Sequence, residues 1–172
     1  LLAAHRGAIS SVDLSSDGKS LLSGSFDRTV RLWHVANRRE QRAFVGHAFA
    51  QSVVSANSDA SIICCGGEYE GISLIEPETG KIQSTADTST LRVSCVAINS
   101  SADIAVTGGY GGVIRVWKLR NFQKIHSFQG HQTGISSVAI SANAAMAVSG
   151  GEDHSVRVWD LSLSSQRFLL RG

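Results

Sequence analysis

Proline is nearly missing from this chain: Pro77 stands alone among 172 residues, against 17 glycines. That balance suits paired strands joined by tight turns. Cysteine is also scarce. The three present are Cys64, Cys65 and Cys95; the count is odd and two are sequence neighbours, which excludes an ordinary disulfide framework and predicts a reduced setting, cytoplasmic with the nucleus as the alternative. No apolar run approaches the roughly 20 residues of a membrane-spanning helix, so membrane insertion is not expected. Charge of one sign is lacking too. Sixteen basic side chains meet 14 acidic ones for a net +2, which gives no electrostatic reason to expect nucleic acid or an anionic membrane as the main partner. What the chain does have is apolar content, 42% of its residues, enough to bury a sizeable core over a length suited to one compact domain.

It also has a repeat. Tryptophans fall at 33, 117 and 159, intervals of 84 and 42, and Ile75 fills the skipped slot. Glycines at 24, 66, 108 and 150 occupy the same column of all four units, and histidines at 5, 47 and 131 form another, with Ser89 in the remaining place. The aligned segments SGSFDRTVRLW, CGGEYEGISLI, TGGYGGVIRVW and SGGEDHSVRVW keep this phase with no insertion. A period near 40–45 residues matches a four-stranded propeller blade, whereas helical repeats of similar length need apolar stripes at a 3.6-residue period. Here the apolar residues alternate in short runs. Ile9, Val12 and Leu14 mark the first strand of the first unit, Leu21 and Leu22 the second, and Val30, Leu32 and Trp33 the third. Fourth strands are expected near Gln41–Val45, Ile82–Thr85, Lys124–Phe128 and Arg167–Leu170. The turn Ser15-Ser16-Asp17-Gly18 has a glycine for positive φ. Its counterparts, with Ala60, Ala102 and Ala144 in that place, are expected to be less favourable.

These residues resemble the WD-repeat family, and the resemblance covers essentially the whole chain. A Gly-His pair opens units at Gly46-His47 and Gly130-His131, and Trp159-Asp160 closes one in full. The resemblance implies an all-β fold of four four-stranded antiparallel sheets, β-propeller blades with approximate repeats 4–45, 46–87, 88–129 and 130–171, forming a single segment of a larger ring. It also implies a buried hydrogen-bond tetrad in each blade. Carried over by position, His5, Ser23, Asp27 and Trp33 complete one tetrad, and His131, Ser149, Asp153 and Trp159 another. The second unit keeps His47 but has Cys65, Tyr69 and Ile75; the third has Ser89, Thr107, Gly111 and Trp117. The middle blades are therefore expected to rely on apolar packing. A buried carboxylate needs donors, which turn amides and histidine supply; the other histidine nitrogen engages the serine, and the serine meets the indole.

Three chemical readings compete for the same residues. Ser, His and Asp could be written as a hydrolytic triad, but catalysis needs one exposed nucleophile beside an oxyanion hole, not duplicate sets inside repeated strands. The run Gly108–Gly112 leads into another strand rather than a helix, so it reads as a hairpin and not as a phosphate loop. His34, His126 and His154 show no metal-ligand spacing, and neighbouring Cys64 and Cys65 point to opposite faces of a strand, which favours core filling. No cofactor and no metal are expected. Arg38, Arg39 and Arg42 read as a solvated edge.

The expected function is non-catalytic: a protein–protein interaction scaffold presenting propeller loops to peptide or protein partners. In the resembled family the contact face carries the residue before the tetrad Asp and residues at the start of the first strand. Here those are Phe26, Glu68, Tyr110 and Glu152, with Ser10, Ser52, Ser94 and Ser136, and Arg92 close by. Aromatic anchors flanked by carboxylates predict a partner bearing Lys or Arg. Propeller rings close with four to eight blades, and rings of the family are commonly larger than four. Leu1 in place of a starting methionine implies either processing or an excerpt; with Leu1-Leu2 at the tail of a preceding fourth strand and Gly172 in the column of Gly46 and Gly130, the chain is expected to be an excerpt of a longer propeller, or a half-ring completed by a second copy. The alternative is a propeller module of a larger protein whose catalytic or trafficking domain lies outside this chain.

Overall fold

The structure, a computed structural model, describes residues 4–45, 53–67, 70–84 and 92–171. Sixteen strands lie within them, in four antiparallel sheets of four. The first sheet holds β1 (Ile9–Leu14), β2 (Ser20–Ser25), β3 (Thr29–His34) and β4 (Arg39–Val45); the second holds β5 (Val53–Ala56), β6 (Ile63–Gly67), β7 (Glu70–Glu76) and β8 (Lys81–Ser84). The third holds β9 (Val93–Ile98), β10 (Ile104–Gly109), β11 (Val113–Lys118) and β12 (Gln123–Gln129); the fourth holds β13 (Ile135–Ile140), β14 (Met146–Gly151), β15 (Ser155–Asp160) and β16 (Ser165–Arg171). Each sheet is ordered as the chain runs, hairpin after hairpin. Two-residue alternation sends one set of side chains to each face, and both faces of an inner sheet must be covered.

The core is accordingly three interfaces, one between each pair of consecutive sheets. Leu22, Val30, Leu32 and Phe44 pack against Val54, Ile63, Cys65 and Ile75. Cys64 and Ile72 turn the other way, onto Val96, Ala105 and Trp117. Val106, Ile114, Val116 and Phe128 meet Ile135, Ala147 and Trp159. Cys64 and Cys65 thus serve two different cores, as alternation along a strand requires. Polar stitches repeat at the period of the chain: Ala56 donates its amide to Asp13 Oδ2 at 2.8 Å, and Ile98 to Ser55 Oγ at 3.2 Å. The first strands of all four sheets converge on one cavity of about 460 Å³, which marks a shared axis with β1, β5, β9 and β13 innermost.

The turns show how this backbone treats a missing glycine. Gly18 sits at φ 71°, and Ala60, Ala102 and Ala144 hold the same place at 57°, 56° and 55°. An L-residue in the left-handed region pays about 1–2 kcal/mol, so three turns carry strain that the first does not. One expectation needs correcting. Arg42 is not simply a solvated edge: its Nη1 donates to the carbonyls of Pro77 at 2.6 Å and Glu78 at 3.0 Å, bridging the first sheet to the second.

The outer face of the fourth sheet repeats the pattern of an inner junction, with none of the described residues packed against it. Val148 and Val156, 38% and 41% exposed, hold the places where Leu22 and Val30 are fully buried in the first sheet. Phe168 and Leu170 continue that face, and Ile9, Val12 and Leu14 are exposed on the first strand of the first sheet.

Candidate functional site

In the first and fourth sheets the turn between the second and third strands is built around an aspartate. Asp27 Oδ1 accepts the Thr29 amide at 3.0 Å, closing a local ring while Arg28 takes φ 67°. Short polar side chains stabilise turns in this way. Phe26 donates its amide to the Ala8 carbonyl at 2.9 Å, which turns Asp27 inward and leaves the Phe26 side chain outside. The fourth sheet repeats the arrangement. Ser155 N reaches Asp153 Oδ1 at 3.2 Å, His154 sits at φ 58°, and Glu152 N donates to the Gly134 carbonyl at 2.9 Å.

Inward from each turn runs a chain of hydrogen bonds. His5 Nδ1 lies 3.0 Å from Asp27 Oδ2, His5 Nε2 lies 2.6 Å from Ser23 Oγ, and Trp33 Nε1 donates to the same Oγ at 2.9 Å. In the fourth sheet His131 lies 2.9 Å from Asp153 and 2.7 Å from Ser149, and Trp159 donates to Ser149 at 2.9 Å. An acceptor-only carboxylate on one side assigns the imidazole proton to Nδ1, so the serine donates to Nε2 while accepting from the indole. Every polar atom of the chain is thereby engaged inside the sheet. Ser149 is 1% exposed, so this hydroxyl cannot reach a substrate, and a triad without an accessible nucleophile is not a hydrolase site.

Each chain has a fifth member that the sequence reading missed. Thr29 Oγ1 donates to Asp27 Oδ1 at 2.6 Å and lies 3.1 Å from His5 Nδ1; Ser155 Oγ does the same at 2.7 and 3.2 Å. The signal was a hydroxyl residue two places after the aspartate in both complete units. The carboxyls are held well below the usual range. For Asp27 burial opposes ionisation, and the Thr29 hydroxyl, the Arg6 amide and His5 overcome it. For Asp153 the Ser155 hydroxyl acts most strongly, against burial, joined by His131 and the Gln132 amide.

The middle sheets keep fragments. Trp117 Nε1 donates to Thr107 Oγ1 at 2.9 Å, and Ile75 and Cys65 are buried in the tryptophan and serine columns of the second sheet. Glu68, along with His47, Ser52, Tyr69 and Ser89, lies outside the described residues. Phe26, Tyr110 and Glu152 are all exposed, each at the same turn of its sheet. Tyr110 is reached differently: Gly111 stands in the aspartate column, and Gly112 takes φ 67° as its amide bonds the Gly109 carbonyl at 3.3 Å. The Arg92 guanidinium lies over the Tyr110 ring, 5.5 Å from its centre. Ser10, Ser94 and Ser136 donate their hydroxyls to the carbonyls of Gly24, Gly108 and Gly150 at 3.1, 3.2 and 3.1 Å, so they brace the first strands. Among the described residues no group of three or more His, Cys, Asp or Glu could hold a metal ion.

Comparison with known proteins agrees with this architecture. The model of the family described as "WD domain, G-beta repeat" matches residues 1–34, 80–118 and 122–160, well over half of the chain. SIR4-interacting protein SIF2 of Saccharomyces cerevisiae is 42% identical over 66 residues, 37% of this chain and 12% of that protein. The U3 small nucleolar RNA-associated protein 15 homolog of Gallus gallus is 31% identical over 118 residues, 67% of this chain and 22% of that protein. Apoptotic protease-activating factor 1 of Danio rerio is 27% identical over 127 residues, 74% of this chain and 10% of that protein. The chain therefore spans less than a quarter of each of these relatives. In fold, it superimposes on the structure of U3-55K with a TM-score of 0.90 at 20% identity, covering 99% of this chain and 54% of that one. For the WD40 repeats of RRP9 the TM-score is 0.89 at 20% identity, with 99% and 53% covered. With its four-stranded blades, its recurring tryptophans and its family match, this chain belongs to the WD-repeat β-propeller family.

Proposed function

We propose that this chain is a non-catalytic interaction scaffold whose blade-top turns hold a Lys- or Arg-bearing segment of a protein partner. The observation that carries the proposal is the Arg92–Tyr110 stack: this surface already holds a guanidinium against an aromatic face at 5.5 Å. Such a contact is worth about 0.5–1 kcal/mol at an exposed site and more when water is excluded. Phe26 offers a second exposed ring and Glu152 an exposed carboxylate on the same side, and Glu68 belongs to the same column of the sequence. Aromatic anchors beside carboxylates favour cationic side chains over neutral ones.

The exposed faces of the first and fourth sheets support a second element of the proposal: further blades of the same parent chain, or a second copy, cover them. Apolar faces of this kind mark interfaces. The short span relative to the relatives favours, as the alternative reading, a propeller module within a larger protein. Nucleic acid and membrane insertion form no part of the proposal. We place the chain in the cytoplasm or the nucleus, and a relative named for small nucleolar RNA favours the nucleus.

Selection from a random peptide display library on the 172-residue chain tests the reading. Enriched peptides carry Arg or Lys, and combined Phe26→Ala, Tyr110→Ala and Glu152→Lys lowers their affinity at least tenfold. Enrichment without basic residues, or affinity indifferent to the triple change, refutes it.

A further inference from the structure

A notch opens on the outer side of the third and fourth blades, away from the blade-top turns. It is a cavity of about 300 Å³ walled by Ile104, Val116, Ile125 and Leu161, with His126 and Ser162 at its rim. His126 does not occupy it. Its ring stacks on Phe128, 5.9 Å between centres, and lies 2.9 Å from Ser164 Oγ.

The first and second blades show what fits such a notch. Two repeats earlier, the place of His126 belongs to Arg42, and the places of Leu161 and Ser162 belong to Pro77 and Glu78. Arg42 crosses the junction and gives its Nη1 to the carbonyls of those two residues, while its guanidinium lies 5.6 Å from the centre of the Phe44 ring. An apolar stem with a planar, multiply donating head is the chemistry of this position. The third blade has His126 in place of that side chain, and its notch has apolar walls and the turn that begins at Leu161. That turn is preceded by an acid. Asp160 Oδ1 accepts the amides of Ser162 at 3.0 Å and Leu163 at 2.9 Å, which fixes a carboxylate next in sequence to the cavity wall at Leu161, with Arg167 as a charge neighbour.

We propose that the notch between the third and fourth blades is a second binding site, for an arginine side chain projecting from a partner protein. The stem lies against Ile104, Ile125 and Leu161, and the guanidinium donates to the carbonyls of the Leu161–Ser162 turn, with Asp160 supplying the opposite charge. The partner's arginine takes the part that Arg42 plays within the chain at the first junction. This site is independent of the blade-top turns, and either proposal can fail without the other.

The test uses the 172-residue chain with methyl-labelled Ile and Leu, titrated with the capped peptides Ac-Ala-Arg-Ala-NH2 and Ac-Ala-norleucine-Ala-NH2 and followed by NMR. The arginine peptide is expected to shift the Ile104, Ile125 and Leu161 methyl signals saturably and at least tenfold more tightly than the norleucine peptide. Asp160→Asn should weaken it severalfold. His126→Arg, which restores the plug found at the first junction, should abolish it, while Glu152→Lys at the blade top leaves it unchanged. Arg42→Ala should open an equivalent notch and raise the stoichiometry from one to two. Equal affinity for the two peptides, no saturable shift at these methyls, or binding that survives His126→Arg overturns the proposal.

Discussion

Removing one hydroxyl from the fourth blade should cost about twice what it costs in the third. Ser149 Oγ accepts the Trp159 indole N–H at 2.9 Å and serves His131 Nε2 at 2.7 Å. Ser149→Ala therefore strands two buried groups. A buried donor or acceptor left without a partner costs about 1–3 kcal/mol, so the expected loss for two is roughly 2–6 kcal/mol. In the third blade Thr107 Oγ1 accepts the Trp117 indole at 2.9 Å, but the histidine column holds Ser89, so Thr107→Val strands an indole and no imidazole, with an expected loss of about 1–3 kcal/mol by the same rule. Valine also keeps the shape of threonine, which keeps cavity formation out of the comparison there. Because stacked repeats open locally, the suitable assay is hydrogen exchange at the three resolved indole N–H signals rather than a single global melt. Ser149→Ala should accelerate exchange at Trp159 far more than Thr107→Val does at Trp117, and leave Trp33 nearly unchanged. Equal costs at the two sites, or a change under about 0.5 kcal/mol at Ser149, would refute the reasoning that the imidazole depends on that hydroxyl.

Three further outcomes follow from the same geometry. Ala144→Gly should stabilise the chain by about 0.5–1 kcal/mol in urea denaturation, because relief of a left-handed alanine exceeds the entropy that glycine loses on folding; a destabilised variant would mean the φ of 55° carries no strain. Asp27 and Asp153 have folded pKa values below those of the unfolded chain, so their contribution is complete above about pH 4 and is lost as pH falls further toward the folded values. Near-UV circular dichroism of the tryptophans should then hold at pH 5 and decay only below about pH 4, and a loss starting near pH 6 would contradict the assignment. Burial pushes the Cys64 thiol up to about 12 and the Cys95 thiol up to about 11, the latter against a lowering bond from Ser94. Both should resist iodoacetamide at pH 8 in the folded chain and react once urea unfolds it.

The fold was legible because the period of 42 residues is carried by residues with separate physical duties: tryptophan and histidine for the buried polar chain, glycine for close approach, alternating aliphatics for the sheet faces. Four sheets of four strands follow from that pattern and are observed. Less legible were interactions joining residues whose spacing is not part of the repeat. The bridge from Arg42 to Pro77 and Glu78 rests on a side chain that the other repeats do not share, so no column announces it, and three arginines close together look like solvent-facing charge. Thr29 and Ser155 were within reach of sequence reasoning, since an Asp-x-hydroxyl spacing in the two complete units is visible once the aspartate is known to need donors. The stacking of Arg92 on Tyr110 was not, because it joins the entry to one strand with the turn after the next.

The buried chain and the exposed turn are one device. Asp27 and Asp153 anchor both, accepting from histidine on the inner side and from the turn amides on the outer. Fixing the aspartate fixes the residue before it, whose amide is tied to the neighbouring loop at 2.9 Å in both blades. Phe26 and Glu152 are thus presented to solvent from positions set by the interior. Gly151 shows how tightly this is drawn: a Cβ there would press on His131 Nδ1 and lie 2.9 Å from Asp153 Oδ1, so the turn is closed over its support with no room for a side chain. The third blade lacks the aspartate, and Tyr110 is held instead by a glycine turn and by Arg92 across its ring. Recognition by preorganised side chains loses less entropy on binding than recognition by mobile ones. A complete tetrad therefore sets the position of the one exposed side chain that precedes its aspartate, whereas in the third blade a surface contact does so.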